Sequence, residues 1–312
     1  MPKTATHVIS ADTEQAAESV KQLAILKSYY QLAKPGITWM VVFTTIAGYL
    51  LGISNAFEYF GDISNVIRFF LTVIGTALTC AASCAFNNVI ERGYDKLMKR
   101  TFKRALPSGE ISPAAGVIFA SLLATAGIFL LSFVDFTVVL LSVAAIISYV
   151  LIYTPLKRKS ETSLLIGAIP GALPPLGGWV AATGNVGTEG MLLFAILFFW
   201  QLPHFLSLSW MYKTDYTRGG YKMLAVRDEN GKRVAWQSLI YTVLLVLSAA
   251  GLFAVGTVGL LYAVGSVVLG GILVITCRKF LAEASHTAAR QVLLMSYVYL
   301  MGIVILMLVD KT

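Results

Sequence analysis

Residues 66–104 read VIRFFLTVIGTALTCAASCAFNNVIERGYDKLMKRTFKR. The run is apolar, then acidic, then basic. Apart from Arg68, residues 66–90 carry no charge, and a helix of that length crosses a hydrocarbon core of about 30 Å. Asn87, Glu91 and Asp95 close the run at spacings of four. Each such step advances the helical azimuth by only about 40°, so the three oxygen-bearing side chains share a face that continues back through Ser83. Acids at a helix C-terminus oppose the macrodipole, and two carboxylates with one aim repel unless a cation joins them. Mg²⁺ takes such oxygen ligands and bridges to phosphates. Lys96, Lys99, Arg100, Lys103 and Arg104 follow at once, and arginine forks suit a phosphate.

Working outward, the rest of the 312 residues fit the same setting. The hydrophobic fraction is 57% and the charged fraction 13%, with a mean hydropathy of +0.76. A soluble domain of this length needs far more polar surface. Windows near 38–54, 66–90, 113–132, 137–153, 163–182, 190–212, 235–255, 258–276 and 291–309 read as membrane spans. The expected fold is therefore all-α, a polytopic bundle of about nine transmembrane helices. Lysine and arginine orient it. With the N-terminus cytoplasmic, 22 of the 24 fall in cytoplasmic segments, and only Arg68 and Lys311 lie opposite. The +8 charge then describes one membrane face, and nucleic-acid binding is not needed to explain it.

Residues 1–20 are polar and lack the basic start and apolar core of a secretory signal; they are expected as a mobile tail. A single transmembrane domain is expected over 21–312. Residues 21–36 open it, either as an interfacial amphipathic lead-in ended by Pro35-Gly36 or as an extension of the first span. Cys80, Cys84 and Cys277 read as small buried hydrophobes rather than a soft-metal site.

An ionisable residue at membrane depth or at the mouth of a bundle is a functional candidate, and four clusters map to the cytoplasmic side. The first is the acidic triplet with its basic run. The second is Tyr153-Thr-Pro-Leu-Lys157-Arg158, where Pro155 is expected to break the helix and the cations could hold an anionic leaving group; a plain stop-transfer flank is the alternative. The third joins Trp200-Gln-Leu-Pro-His204 to Tyr212-Lys213-Thr-Asp215-Tyr216. Eleven residues separate His204 from Asp215, about three turns, so they are expected on one face of one helix, although an intramembrane histidine can simply bond a neighbouring helix. The fourth runs from Gly167 to Trp179, with Pro170, Pro174 and Pro175 among four glycines. It is expected as a broken helix lining a cavity or hinge, or as a close-packed face.

Together these clusters describe a membrane-buried cavity with cations and acids at a cytoplasmic mouth and an apolar interior for a long tail. Such a site favours ionisation of an allylic diphosphate and keeps water from the carbocation. A transporter is the competing class, since carriers also show broken spans, but its charges belong near the midplane and here they crowd one side.

The run Asn87-Asn88-Val-Ile-Glu91-Arg-Gly-Tyr-Asp95, with Lys99-Arg100-Thr101-x-x-Arg104, resembles the first aspartate-rich motif of the intramembrane aromatic prenyltransferases, the UbiA superfamily. Tyr153-x-x-x-Lys157 resembles their second signature. Trp200-Gln-Leu-Pro-His204-Phe205, Asp215-Tyr216 and Gly220-x-x-Met223-Leu224 resemble the branch that farnesylates protoheme. The resemblance spans roughly residues 30–305. It implies farnesyl diphosphate and heme b as substrates, heme O and diphosphate as products, and Mg²⁺ as the ion. An enzyme that oxidises heme O, or a terminal oxidase assembly, is the implied protein partner. By the same resemblance Asn87, Glu91 and Asp95 hold one metal and Asp215 helps hold a second. Arg100, Arg104, Tyr153, Lys157, Arg158 and Lys213 contact the diphosphate, and His204 serves the heme. Glu91 departs from the usual aspartate, and Asp215 is one acid where other members have several. The nearest rival within the superfamily prenylates a quinone-precursor ring.

Overall fold

Helix after helix follows the apolar windows in the computed structural model, which describes the backbone from Thr4 to Thr312 and side chains from Glu18 onward. In chain order the helices are α1 (Thr4–Leu32), α2 (Pro35–Leu51), α3 (Ala56–Tyr59), α4 (Ile63–Asp95), α5 (Ala105–Ser108), α6 (Pro113–Ser132) and α7 (Phe136–Ile147). A π-helical stretch, Ser148–Tyr153, carries α7 into α8 (Thr154–Leu156). Then come α9 (Ser163–Thr183), α10 (Gly187–Met211), α11 (Lys213–Arg218), α12 (Leu224–Arg227), α13 (Lys232–Ala254), α14 (Leu260–Glu283) and α15 (His286–Val309). Eight helices among the described residues have the length and apolarity to cross a membrane, and the 17-residue Pro35–Leu51 is a shorter apolar helix beside them. The bundle of about nine spans is thus present.

The first span is not an extension of the lead-in. Helix α1 stops at Leu32, Lys34 takes a left-handed conformation (φ 46°, ψ 66°), and Pro35 starts α2. Proline is preorganised for a first helical turn, where its missing N–H costs nothing, so Pro35 opens a helix rather than closing one. The expected mobile tail falls largely outside the described side chains; from Thr4 its backbone continues into α1.

Helix α4 has 33 residues. At 1.5 Å per residue it spans about 50 Å, well beyond a hydrocarbon core of about 30 Å. Its C-terminal end, with Asn87, Glu91 and Asp95, therefore stands at or past the membrane boundary. Helix α6 packs along α4, while α10, α13, α14 and α15 pack on one another in the second half.

Helix α9 is the corrected element. Despite Pro170, Pro174 and Pro175 it is one continuous helix. It is also the most enclosed span, with 72% of its most apolar stretch buried against 11% for the span from Phe136 to Leu156. Its glycines serve the close-packing alternative. A Cβ at Gly178 would lie 2.1 Å from the Thr45 carbonyl oxygen, and one at Gly48 of α2 would lie 2.0 Å from the Pro175 carbonyl oxygen. The two backbones touch directly, as small residues allow between apolar helices. Replacing Gly48 with Val should destabilise the bundle by about 1–3 kcal/mol or more, the cost of overpacking. An unchanged melting transition in detergent would show that α2 and α9 can part freely.

The true irregularity lies one helix earlier. Pro155 has no N–H to donate, and the turn before it widens. The Thr154 N–H bonds to the Tyr149 carbonyl five residues back, and the Thr154 hydroxyl donates to the same oxygen at 2.8 Å. π-turns of this kind are frequent at functional sites.

Candidate active site

The end of α4 is a column of buried oxygens, each met by a cation from another segment. Asn87, Glu91 and Asp95 are 0%, 4% and 1% exposed. Lys34 donates to Asn87 Oδ1 at 2.6 Å. The Asn87 amide in turn donates to Thr154 Oγ1 at 3.0 Å, which ties the column to the π-turn. Lys157 Nζ stands 2.5 Å from Glu91 Oε1. Arg104 donates to Asp95 Oδ2 at 2.9 Å and reaches Asn88 Oδ1 at 3.4 Å. Asn88 donates to the Leu32 carbonyl at 3.0 Å, fixing the end of α1 against α4.

Tyrosine rings form the next layer. Lys157 Nζ lies 4.7 Å from the Tyr153 ring centre and 5.6 Å from that of Tyr221. Arg158 covers Tyr94 at 4.2 Å, and Arg100 covers Tyr212 at 4.9 Å and Tyr216 at 6.0 Å. Cations over such rings gain attraction without losing charge. The Lys222 N–H donates to the Lys157 carbonyl at 3.0 Å. Through these contacts the loop after α4, the end of α8 and the segment after α10 converge at one end of the bundle.

Burial pushes the Lys157 ammonium down, but Glu91 and the hydroxyls of Tyr153 and Tyr149 outweigh it and hold the group well above the usual lysine range. Lys34 is different. Burial pulls its pKa below the ordinary value, with Arg104 and Lys157 adding repulsion. Lys34 is one of two non-glycine residues with positive φ among the described residues. Backbone strain of this kind concentrates at functional sites. No sequence motif marks Lys34, whose one signal is its place immediately before Pro35-Gly36.

Beneath the column a cavity of about 1080 Å³, counting its open end, runs into the bundle. Thr76, Thr79, Cys80, Ser83 and Cys84 of α4 form one wall, Tyr149 and Tyr153 another, and Pro170, Gly171, Pro174, Gln201 and Phe205 the far side. A Cβ at 171 would lie 2.0 Å from Gln201 Oε1, so any larger residue there must displace the Gln201 amide. The cavity reaches Ser83 and Cys84, one turn before Asn87, and its lining is mostly apolar. A charged column beside a mostly apolar cavity suits a molecule with an anionic head and a hydrocarbon tail.

Not every expected residue joins this site. Asp215 does not share a helix with His204, because α10 ends at Met211 and Tyr212 leaves helical geometry (φ −103°, ψ 21°) before α11. It pairs with Arg218 at 3.7 Å, although its neighbours Tyr212 and Tyr216 lie under Arg100, at the same end of the bundle as Asp95. Lys213 is turned elsewhere: it donates to the Asp228 carbonyl at 2.5 Å and covers Trp210. His204 is buried on the α15 side of α10. Its Nδ1 lies 2.9 Å from Ser296 Oγ, and its ring stacks on Trp200 at 5.0 Å. Gln201 and Phe205, not His204, face the cavity.

Among the described residues no group of three or more His, Cys, Asp and Glu side chains is gathered to hold a metal. The α4 column offers two carboxylates and an amide oxygen, and those are hard donors suited to Mg²⁺. Glu91 Oε1 is buried without a well-angled hydrogen bond, despite its short contact with Lys157. The distance marks an ion pair, so a metal would share this oxygen with the Lys157 ammonium or displace it. The donor set therefore fits.

Residues 41–301 match the model of the UbiA prenyltransferase family. The protoheme IX farnesyltransferase of Solibacter usitatus is 38% identical over 290 residues, covering 92% of this chain and 99% of that one. That of Salinibacter ruber is 39% identical over 287 residues, with 92% and 99% covered. Among solved structures, one described for digeranylgeranylglyceryl phosphate synthase superposes with a TM-score of 0.75 at 18% identity, over 92% of this chain and 98% of that one. A UbiA homolog from Archaeoglobus fulgidus bound to GPP and Mg²⁺ gives 0.62 at 14% identity, over 90% and 99%. At these identities the structures speak for the fold alone.

Proposed function

The chain belongs to the UbiA prenyltransferase family, and from that premise we propose that it moves the farnesyl group of farnesyl diphosphate onto a vinyl group of protoheme IX. The C1–O bond to diphosphate breaks, C1 bonds the terminal vinyl carbon, and water adds to the resulting cation with loss of a proton. Heme O and diphosphate are the products. The observation that carries the reading is the cation-lined acidic column at the mouth of an apolar cavity. The identity to farnesyltransferases along nearly the whole chain selects heme over a quinone-precursor ring. A transporter finds no support in charges gathered at one end.

In this reading the diphosphate takes over cations now held by the α4 column, Lys34 from the Asn87 amide oxygen and Arg104 and Lys157 from the Asp95 and Glu91 carboxylates, with Arg100, Arg158 and the Tyr153 hydroxyl around them. Asn87, Glu91 and Asp95, with Asp215 from α11, would hold Mg²⁺, which supplies charge against the departing diphosphate. Tyr149, Phe205 and the α9 wall shield the farnesyl cation from water until the vinyl group captures it. In the same reading the protein lies in the cytoplasmic membrane with this mouth on the cytoplasmic side, supported by the placement of 22 of the 24 lysines and arginines on one face. A heme O-oxidising enzyme or a terminal oxidase assembly would accept the product.

Membranes bearing the protein, given heme, farnesyl diphosphate and Mg²⁺, should yield heme heavier by one hydrated farnesyl unit. Unaltered heme beside a prenylated quinone precursor would overturn the reading. His204 then has a positioning role, holding α10 against α15 through Ser296. His204→Ala should lower turnover with no change in the ratio of the two KM values; a selective rise in KM for heme would place it at the heme instead.

A further inference from the structure

Resting on the heme reading, we propose that a second cavity, between α9, α10 and α13, receives the vinyl-bearing edge of the porphyrin while Arg227 and Arg233 hold its carboxylates at the rim. This cavity measures about 430 Å³ counting its open end, and half of its lining is leucine, with Leu165, Leu202, Leu206 and Leu224 beside Leu164. Leu164 lines both this cavity and the larger one, and it is 5% exposed. Leu164 is the residue common to the two linings. An apolar edge pressed against Leu164 would face the space assigned to farnesyl.

The rim supplies the matching charge. Arg227 NH1 lies 3.4 Å and Arg233 NH2 2.8 Å from the two oxygens of Glu161. Two guanidinium forks share one carboxylate, which leaves a net positive charge. Both arginine side chains are more than half exposed, at 52% and 59%. Guanidinium forks match carboxylates in pairs, and a porphyrin bearing two propionates on one edge and vinyl groups away from them presents that pattern. The segment between the sites is also shared. The Lys222 N–H bonds to the Lys157 carbonyl at the diphosphate end, and five residues on, Arg227 pairs with Glu161, which lines the second cavity. Asp228 then caps α13 by accepting from the Val234 N–H at 2.9 Å.

The test is heme titration of the full-length protein in neutral-lipid nanodiscs, read by the heme absorption band, with farnesyl diphosphate binding measured in parallel. Arg227→Ala with Arg233→Ala should weaken heme binding about tenfold or more, the scale of one lost charge-assisted hydrogen bond. Farnesyl diphosphate binding should stay unchanged. Glu161→Gln should strengthen heme binding, because it frees both forks; a merely structural role for the cluster would weaken it. Heme dimethyl ester should bind the unaltered protein as poorly as heme binds the double variant. The inference is overturned if the double variant binds heme normally, if it loses farnesyl diphosphate in step, or if its only defect is lost retention of phosphatidylglycerol, which would assign the rim to anionic lipid. Failure of the unaltered protein to farnesylate heme would instead overturn the functional reading itself, so the two failures are distinct.

Discussion

Asp95→Ala should abolish farnesyl transfer while the protein still inserts and accumulates. Asp95 is 1% exposed and engages Arg104 at 2.9 Å. Removing it deletes a carboxylate from the α4 column and sets Arg104 loose. The fold tolerates this because the Arg104 side chain is 35% exposed and can turn to water. The chemistry does not tolerate it, because charge placed in advance against a leaving group is a large share of catalysis. Loss of one such element costs about 10²–10³-fold in turnover. Turnover should be measured beside the elution profile of the purified protein. A normal profile with activity within tenfold of the unaltered protein would remove Asp95 from the mechanism.

Lys157→Met strikes harder, since it damages structure and chemistry together. The Lys157 ammonium sits 2.5 Å from Glu91 and over the rings of Tyr153 and Tyr221. Methionine keeps most of the stem volume and removes the charge. Glu91 is then buried and uncompensated, a state that costs about 3–5 kcal/mol when one partner of a buried pair is lost. The single variant should melt earlier and lose transfer. Adding Glu91→Gln should restore most of the melting temperature and none of the activity. Recovery of turnover in the double variant would mean that the pair serves only the fold, and a single variant with ordinary turnover would exclude Lys157 from diphosphate binding.

The acidic column was legible because it depends on one helix. Spacings of four place Asn87, Glu91 and Asp95 on a common face whatever surrounds them. The third cluster was misjudged for the complementary reason. The periodicity that put His204 and Asp215 in line assumed an uninterrupted helix, and Tyr212 interrupts it. In α9 the error ran the other way: prolines that break an isolated helix are held in line where α2 and α10 enclose them, because neighbours and short local adjustments stabilise the freed carbonyls.

Taken by itself, the chain specified a membrane bundle, its nine apolar segments and the face of α4 that carries Asn87, Glu91 and Asp95. Each of these follows from local physics, the aversion of hydrocarbon for charge and the fixed pitch of a helix. Tertiary packing alone chose the partners. It brought Lys34 across a strained turn to Asn87, paired Lys157 with Glu91, sent His204 toward Ser296 instead of the cavity, and set Leu164 in the lining of two chambers. Those choices depend on how helices distant in sequence rotate and dock, and in a low-dielectric interior every buried charge must find its counterpart wherever that docking leaves one within reach.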